Sequence, residues 1–461
     1  MKVFKYPLRA VVTFAIVIVA FGVAATAQTF SLLYNFGTNP GDPTNPYAPC
    51  AVVQGPDGNL YGTTPSGGTS NNGTVFKITP AGTLTVLYDF DITHGEYPFS
   101  GLTLGTDGNF YGTTVFGGTS TNGIVFKITR NGALTILHKF TGMTDGAYPY
   151  APPVQAADGS FYGTTSKGAL GWGTIYKVSP SGVFTLLHPF NYQDGSFPQG
   201  PLTQATDGAL YGTTREGGHG YGTVFRITTS GNFKTLYSFD ITDGIQPEGG
   251  LVEFSDGAFY GTTVYGGANT GGVIYKITSS GVLTVLHNFG GSDGTTPFPN
   301  LLLASDNKFY GATEAGGSMG LGTVYRFSGD AQDFEVLYNF DGATGANPYV
   351  TPTQHTNGIL YGDAESGGAF GYDTFYSLNV GLSRFVRLVS TVGKVGKSVE
   401  ILGQGFTDTT SVSFNGAPAV FKVVSDTFLT ATVPAGATDG FVNVTTPGGV
   451  LASNKTFRVQ K

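Results

Sequence analysis

The chain has 461 residues, of which 40% are hydrophobic and only 11% charged, so it is long enough for at least two domains and apolar enough to bury their cores. Its 72 glycines and 13% aromatic content suit many turns and strands rather than helices. The formal charge of −7 argues against a nucleic-acid partner, because gripping a phosphate backbone takes clustered Lys and Arg.

Residues 1–27 read as a secretory signal peptide. Lys2, Lys5 and Arg9 form the charged start, residues 10–20 an apolar run, and Ala25-Thr26-Ala27 a small-x-small cleavage site. The apolar run is short for a retained anchor helix, and nothing after Ala27 has the length to span a membrane. Cys50 is the sole cysteine, which excludes an intrachain disulfide and a cysteine-based metal site; it is expected to be a small buried apolar residue.

Residues 28–383 carry a repeat. A Tyr-Gly pair recurs at Tyr61, Tyr111, Tyr162, Tyr211, Tyr260, Tyr310 and Tyr361, with gaps of 49 to 51. Fixed periods of this length mark propellers or solenoids. One unit reads in full from Pro98 to Phe140. Gly101-Leu102-Thr103-Leu104 is strand a and Asp107-Gly108 a tight hairpin turn. Phe110-Tyr111-Gly112-Thr113-Thr114 is strand b, and strand c starts at Ile124 after a Gly-rich loop. Asn131-Gly132 turns the chain into strand d, which ends at Phe140. Seven such units predict an all-β fold, a seven-bladed β-propeller.

The chain begins out of phase. Phe30-Ser31-Leu32-Leu33-Tyr34-Asn35-Phe36 is a strand-d sequence with no a, b or c before it, so it can complete the last blade; Phe385-Val386-Arg387-Leu388 is the competing candidate. The glycine after each tyrosine is expected to serve tight packing between blades. In an up-and-down blade the b–c and d–a loops share one end. These loops are long and varied, so specificity is expected there.

Residues 384–461 break the period. Short strands between Gly, Pro and Asp turns predict a small β-sandwich.

The repeated Asp-Gly-x-Leu/Phe-Tyr-Gly-Thr-Thr and Thr-Val-Phe-Lys-Ile-Thr signatures resemble the GloVer-type (Gloeobacter/Verrucomicrobia) repeat of exported bacterial proteins, which implies no particular activity. In the tail, Gly403-Gln404-Gly405-Phe406, Phe414-Asn415-Gly416, Val433-Pro434-Ala435-Gly436 and Thr446-Pro447-Gly448-Gly449 resemble the turns of an IPT/TIG domain. That resemblance implies an immunoglobulin-like sandwich used as a spacer or adhesion module on bacterial surfaces. The period and Gly-Gly pairs are also similar to kelch repeats, but with Trp172 as the only tryptophan that likeness is architectural.

Repeated polar positions read as structural. His138, His188 and His287 share one strand-d position with Tyr88, Tyr237 and Tyr338, and a site that accepts either residue is not catalytic. The a–b turn aspartates (Asp57, Asp107, Asp158, Asp207, Asp256, Asp306) suit hairpin geometry. Asp145, Asp194, Asp243 and Asp293 lie in d–a loops without the oxygen ladder that calcium needs. No metal or other cofactor is expected.

The b–c loops differ between units, and they hold the candidate ligand-binding residues: Phe116, Trp172, Arg215, Tyr221, Tyr265, Glu314, Glu365, Phe370 and Tyr372. Aromatic faces beside carboxylates and an arginine suit stacking on sugar rings or gripping a peptide. The expected protein is therefore a secreted or cell-surface bacterial binding or scaffold protein, with the periplasm as a further location. It is expected to act as a monomer on a polysaccharide or another surface protein. The alternative is a carbohydrate-active enzyme, a glycoside hydrolase or lyase, using carboxylates such as Glu314, Glu365 and Asp363 on adjacent blades.

Overall fold

The computed structural model describes residues 28–44, 52–168, 170–298, 300–369, 371 and 373–460. The expected signal peptide and Cys50 lie outside the described residues. Seven four-stranded antiparallel sheets follow one another around a ring. Blade 1 comprises strands a to d at Val53–Gln54, Leu60–Thr64, Thr74–Ile78 and Leu84–Asp89. Strand b is wholly buried in blades 1 to 6, whereas strand d, on the outside, is mostly half-buried with its second residue exposed in blades 1 to 5.

Blade 7 has its first three strands at Thr353–Gln354, Leu360–Ala364 and Thr374–Asn379, and its fourth is Thr29–Asn35 from the start of the chain. That strand pairs antiparallel from Thr29↔Asn379 to Asn35↔Thr374, with one bulge between Leu32 and Tyr34. Phe30 stacks on Tyr338 at 4.0 Å and on Tyr376 at 5.0 Å, so ring closure is hydrophobic as well as hydrogen-bonded. The competing candidate goes elsewhere: Arg387–Leu388 pairs with Ser398–Leu402 in the sandwich.

The Tyr-Gly motif has two separate causes. Each tyrosine ring packs on the next blade, as in Tyr61 on Phe110 at 4.2 Å and Tyr111 on Phe161 at 3.7 Å. In blades 1 to 6 its hydroxyl donates to the a–b turn aspartate, 2.8 Å for Tyr61–Asp57, Tyr111–Asp107 and Tyr162–Asp158; in blade 7 the Tyr361 hydroxyl accepts from the Asn357 amide at 3.0 Å. The same aspartate accepts the backbone N–H two residues on, so one side chain makes the turn and anchors the interface. The glycine serves a contact within its own blade rather than directly between blades. A Cβ on Gly112 would lie 2.7 Å from Phe126 Cζ and 3.0 Å from Leu102 Cδ2, both of blade 2. The Phe126 ring, laid flat over the glycine, then meets Phe90 of blade 1 at 5.4 Å.

A polar latch also joins neighbours. The strand-a side chains of Gln54, Gln155, Gln204, Glu253 and Gln354 each accept the backbone N–H of an a–b turn in the preceding blade. The strand-d position shared by His and Tyr ties that strand to the following d–a loop: His138–Asp145 is 3.0 Å, His188–Asp194 3.2 Å and His287–Asp293 2.7 Å, and Tyr237 donates to Asp243. These aspartates also accept backbone N–H groups of their own loops.

The C-terminal sandwich has one sheet of Arg387–Leu388, Ser398–Leu402, Phe428–Thr432 and Phe421–Ser425, and another of Ala417–Pro418, Ser411–Phe414, Val442–Thr446 and Gly449–Ala452. Val399, Ile401, Phe406, Val412, Phe414, Leu429 and Phe457 fill the space between them. The sandwich docks on the turn end of the propeller. Thr427 Oγ1 donates to Pro56 O at 2.8 Å, and Thr356 Oγ1 to Gly403 O at 3.1 Å. Leu402 and Phe428 join Tyr61, Leu104 and Phe110 in one apolar cluster. The b–c and d–a loops lie at the other end. No helix among the described residues is long and apolar enough to cross a membrane.

Candidate functional site

Every d–a loop contains an X-Pro pair: Tyr97-Pro98, Tyr148-Pro149, Phe197-Pro198, Gln246-Pro247, Thr296-Pro297 and Asn347-Pro348 in the described loops. All six pre-proline residues have positive φ, between 52° and 59°. That region is costly for a residue with a side chain, so the surroundings must hold it. They do so from both sides. The N–H of Phe197 donates to Trp172 O (2.9 Å), and its carbonyl accepts from Arg215 N–H (3.1 Å). Gln246 is held the same way by Tyr221 O and Val264 N–H, Thr296 by Gly271 O and Glu314 N–H, and Asn347 by Leu321 O and Glu365 N–H. Each loop is thus clamped between the b–c loops of two consecutive blades.

The clamp fixes the residue after each proline beside strand a, the innermost strand. These residues meet across blades: Phe99 lies 5.6 Å from Tyr150, and Phe298 lies 4.4 Å from Tyr349. Between them Glu248 occupies the corresponding position in the loop into blade 5. It is 8% accessible, and Arg215 Nε approaches its Oε1 at 3.1 Å. The approach is electrostatic: Arg215 Nε has no hydrogen-bond partner among the described residues. Burial pushes the Glu248 carboxyl up to about 7; Arg215 opposes this, and Glu216 and Glu314 add to it. Burial, then Glu365, raises Glu314. The Tyr349 hydroxyl is raised by burial and by Glu314, Glu365, Glu248 and Tyr265. Asp363, half-buried in strand b of blade 7 where most other blades have threonine, is also raised by burial.

Of the residues singled out from sequence, Arg215, Tyr265, Glu314 and Glu365 therefore come together in one sector spanning blades 4 to 7. Tyr265 is 44% accessible there. Phe116 and Trp172 lie in a separate aromatic arc over blades 2 to 4. Phe116 meets Tyr148 edge-on at 5.3 Å, Lys167 Nζ is 6.0 Å from the Tyr148 and Phe197 rings, and Trp172 meets Tyr192 at 5.1 Å. Tyr221 is half-buried against the core between blades 4 and 5. Phe370 and Tyr372 lie outside the described residues. Sequence reasoning missed Glu248, Tyr150, Phe298 and Tyr349. The X-Pro triplet, repeating with the same period as Tyr-Gly, was the signal that could have found them.

A concavity of about 670 Å³ lies away from this face, at the turn end, between blades 1 and 2 and the sandwich. Leu104, Val389 and Phe428 contribute its apolar wall, with Asp57, Asp107, Arg130 and Glu400 among its polar groups. No three His, Cys, Asp or Glu among the described residues group to hold a metal ion.

Among solved structures, a fungal alcohol oxidase of the AA5 family, solved in complex with copper, is similar over 91% of this chain and 98% of its own, with 16% identity and a TM-score of 0.51. That likeness supports the fold alone. A gluconolactonase from Xanthomonas campestris (15% identity, 64% of this chain and 88% of its own, TM-score 0.40) and a putative glucose dehydrogenase from Thermus thermophilus (16%, 76% and 99%, 0.38) are more remote. No curated protein matches the sequence significantly. The IPT/TIG domain matches residues 384–459, and the Gloeobacter/Verrucomicrobia repeat matches residues 19–153 and 132–304, more than half of the chain. The chain therefore belongs to the Gloeobacter/Verrucomicrobia repeat family, with a C-terminal IPT/TIG domain.

Proposed function

We propose that this is an exported, monomeric binding protein whose b–c/d–a loop face grips a polysaccharide. The sandwich serves as the spacer or adhesion module that holds the propeller from its other end. One observation supports the reading: the loops in which the blades differ share one end of the propeller, where they form two adjoining sectors. Its aromatic arc suits sugar stacking, and its Arg215–Glu248–Glu314–Glu365 sector supplies hydrogen-bonding groups to sugar hydroxyls. Arg215 faces the buried Glu248 carboxyl at 3.1 Å, which places a cation in this sector. A glycan-array screen of the protein and of its Arg215→Ala and Tyr265→Ala variants tests it. Retention of a defined glycan set, weakened in both variants, is the expected result; no binding to any glycan removes the proposal.

The raised carboxyl of Glu248 favours a second reading, a glycoside hydrolase or lyase. A group with a pKa of about 7 is protonated in about half of the molecules at neutral pH and can give that proton to a leaving oxygen, while a neighbouring carboxylate acts as base or nucleophile. Sugar release that Glu248→Gln abolishes, with glycan binding retained, would establish that reading over simple binding.

A further inference from the structure

The a–b turn of blade 7 departs from the repeat at one buried position. His355 stands where the other blades carry Gly55, Gly105, Ala156, Ala205, Phe254 and Ala304. It is 1% accessible, and both of its ring nitrogens are engaged. Nε2 lies 3.0 Å from Gly58 O, in the a–b turn of blade 1, and Nδ1 lies 3.2 Å from the Asn357 backbone N. A carbonyl only accepts and a backbone N–H only donates, so the ring is neutral with its proton on Nε2. The bond to Gly58 crosses the seam where the last blade, completed by the first strand of the chain, meets blade 1.

The sandwich rests on both ends of that bond. On the blade 7 side, the Phe385 N–H donates to Thr356 O at 3.3 Å, Thr356 Oγ1 donates to Gly403 O and accepts from Gln404 Nε2, and Arg387 Nη2 donates to Gln354 O. On the blade 1 side, Thr427 Oγ1 donates to Pro56 O, and a Cβ on Gly58 would lie 2.8 Å from Thr427 Cγ2. A second proton on the ring turns Nδ1 from acceptor to donor, facing the Asn357 N–H, and buries a cation. His138, His188 and His287 each face an aspartate that favours such a charge; His355 pairs with no carboxylate among the described residues. The charged groups on the elements packed around it are Asp57, Arg384, Arg387 and Asp426. Asp57 accepts from Tyr61 and Asn59, Asp426 accepts from Gly405 and Thr407 and feels Arg384, and Arg387 opposes a charge on the ring.

We propose that His355 is an acid-sensitive clasp: its protonation parts the a–b turns of blades 7 and 1 and releases the sandwich that bridges them, while the rest of the ring stays folded. The sign follows from the site, which holds the neutral ring better than the charged one. The clasp is therefore present above the unfolded histidine pKa of about 6.5 and is lost as the pH falls through the lower folded value. It does not depend on what the loop face binds. The test is residue-resolved hydrogen exchange of the full chain, corrected for the intrinsic pH dependence of exchange. Exchange is compared between about pH 7.5 and the lowest pH at which strand c of blade 3, Thr174–Val178, keeps its protection. The Asn357 amide reports the clasp and the Phe385 amide reports the docked sandwich. Both should lose protection about tenfold or more on acidification. His355→Gln, whose amide can still donate to Gly58 O but does not titrate, should change less than about twofold, and so should His355→Ala, which places the residue of blades 3, 4 and 6. Strand Thr174–Val178 in each variant shows that it is folded. No selective loss in the native protein, loss at Asn357 with Phe385 still protected, or an equal loss in either variant overturns the proposal.

Discussion

The same chemical change, Tyr→Phe, should have opposite effects at two positions of the repeat. Tyr275, in strand c of blade 5, has its hydroxyl buried with no hydrogen-bond partner among the described residues, and burial raises its pKa. Its hydroxyl lies over Gly261, where a Cβ would sit 2.6 Å away. Blades 1, 2 and 4 carry Phe76, Phe126 and Phe225 at this position. A hydroxyl buried without a partner costs about 1–3 kcal/mol, so Tyr275→Phe should stabilise by a part of that, about 1 kcal/mol. Tyr111 instead donates to the Asp107 carboxylate at 2.8 Å. Losing a bond to a charged group costs about 1.5–3 kcal/mol, less what water returns to Asp107. The two variants should therefore differ by about 2 kcal/mol or more, on opposite sides of the native protein. Urea denaturation followed by the fluorescence of Trp172, the only tryptophan, reads both midpoints. If Tyr275→Phe destabilises as much as Tyr111→Phe, the bonding assignment is wrong.

Other consequences are equally direct. Gly212→Ala would place a Cβ 2.6 Å from Phe225 Cζ and 2.8 Å from Leu202 Cδ2, and should cost about 1–3 kcal/mol; Gly436→Ala, with nothing within 4 Å, should stay within about 0.5 kcal/mol of native in the same denaturation assay. His138 and His188 have pKa values lowered chiefly by burial, with Asp145 and Asp194 opposing. Their folded sites favour the neutral ring, so their contribution is present above the unfolded pKa of about 6.5 and is lost as the pH falls through the lower folded value. His138→Tyr, the residue of the sister blades, should flatten the decline of the denaturation midpoint on acidification; an unchanged slope would contradict this. Glu248 has the reverse sign: its raised pKa means that stability present below about 4.5 is lost as the pH rises through about 7. Glu248→Gln should therefore exceed the native protein in stability at pH 8, by at most about 3 kcal/mol, and match it near pH 4.

What the sequence revealed and what it concealed divide along a physical line. Within a blade, register follows from side-chain alternation and turn chemistry, so Asp107-Gly108, the buried run from Phe110 to Thr114 and the out-of-phase first strand were all readable. Contacts between blades join residues about 50 positions apart, and the local pattern does not say which will meet. The glycine after each tyrosine looked like an interface residue, yet its close contact is the aromatic ring across its own sheet. Glu248 carries no local signal, because it is the positive-φ Gln246, two residues before it, that sets it beside Arg215 and near Glu314. Trp172 and Tyr221 stood out as aromatics, whereas the structure also uses their carbonyls to clamp Phe197 and Gln246. The face against which the sandwich rests depends on contacts such as Thr427–Pro56, across 371 residues of sequence.

In the proposed function the loop face, rather than the turn end covered by the sandwich, carries ligand recognition. The most direct measurement is the glycan-array profile of the full chain beside those of Arg215→Ala, Tyr265→Ala and the turn-end variant His355→Gln. The native protein should retain a defined glycan set that the first two variants lose and the third keeps. Glycan binding that survives both loop-face substitutions and disappears with His355→Gln would contradict that reading.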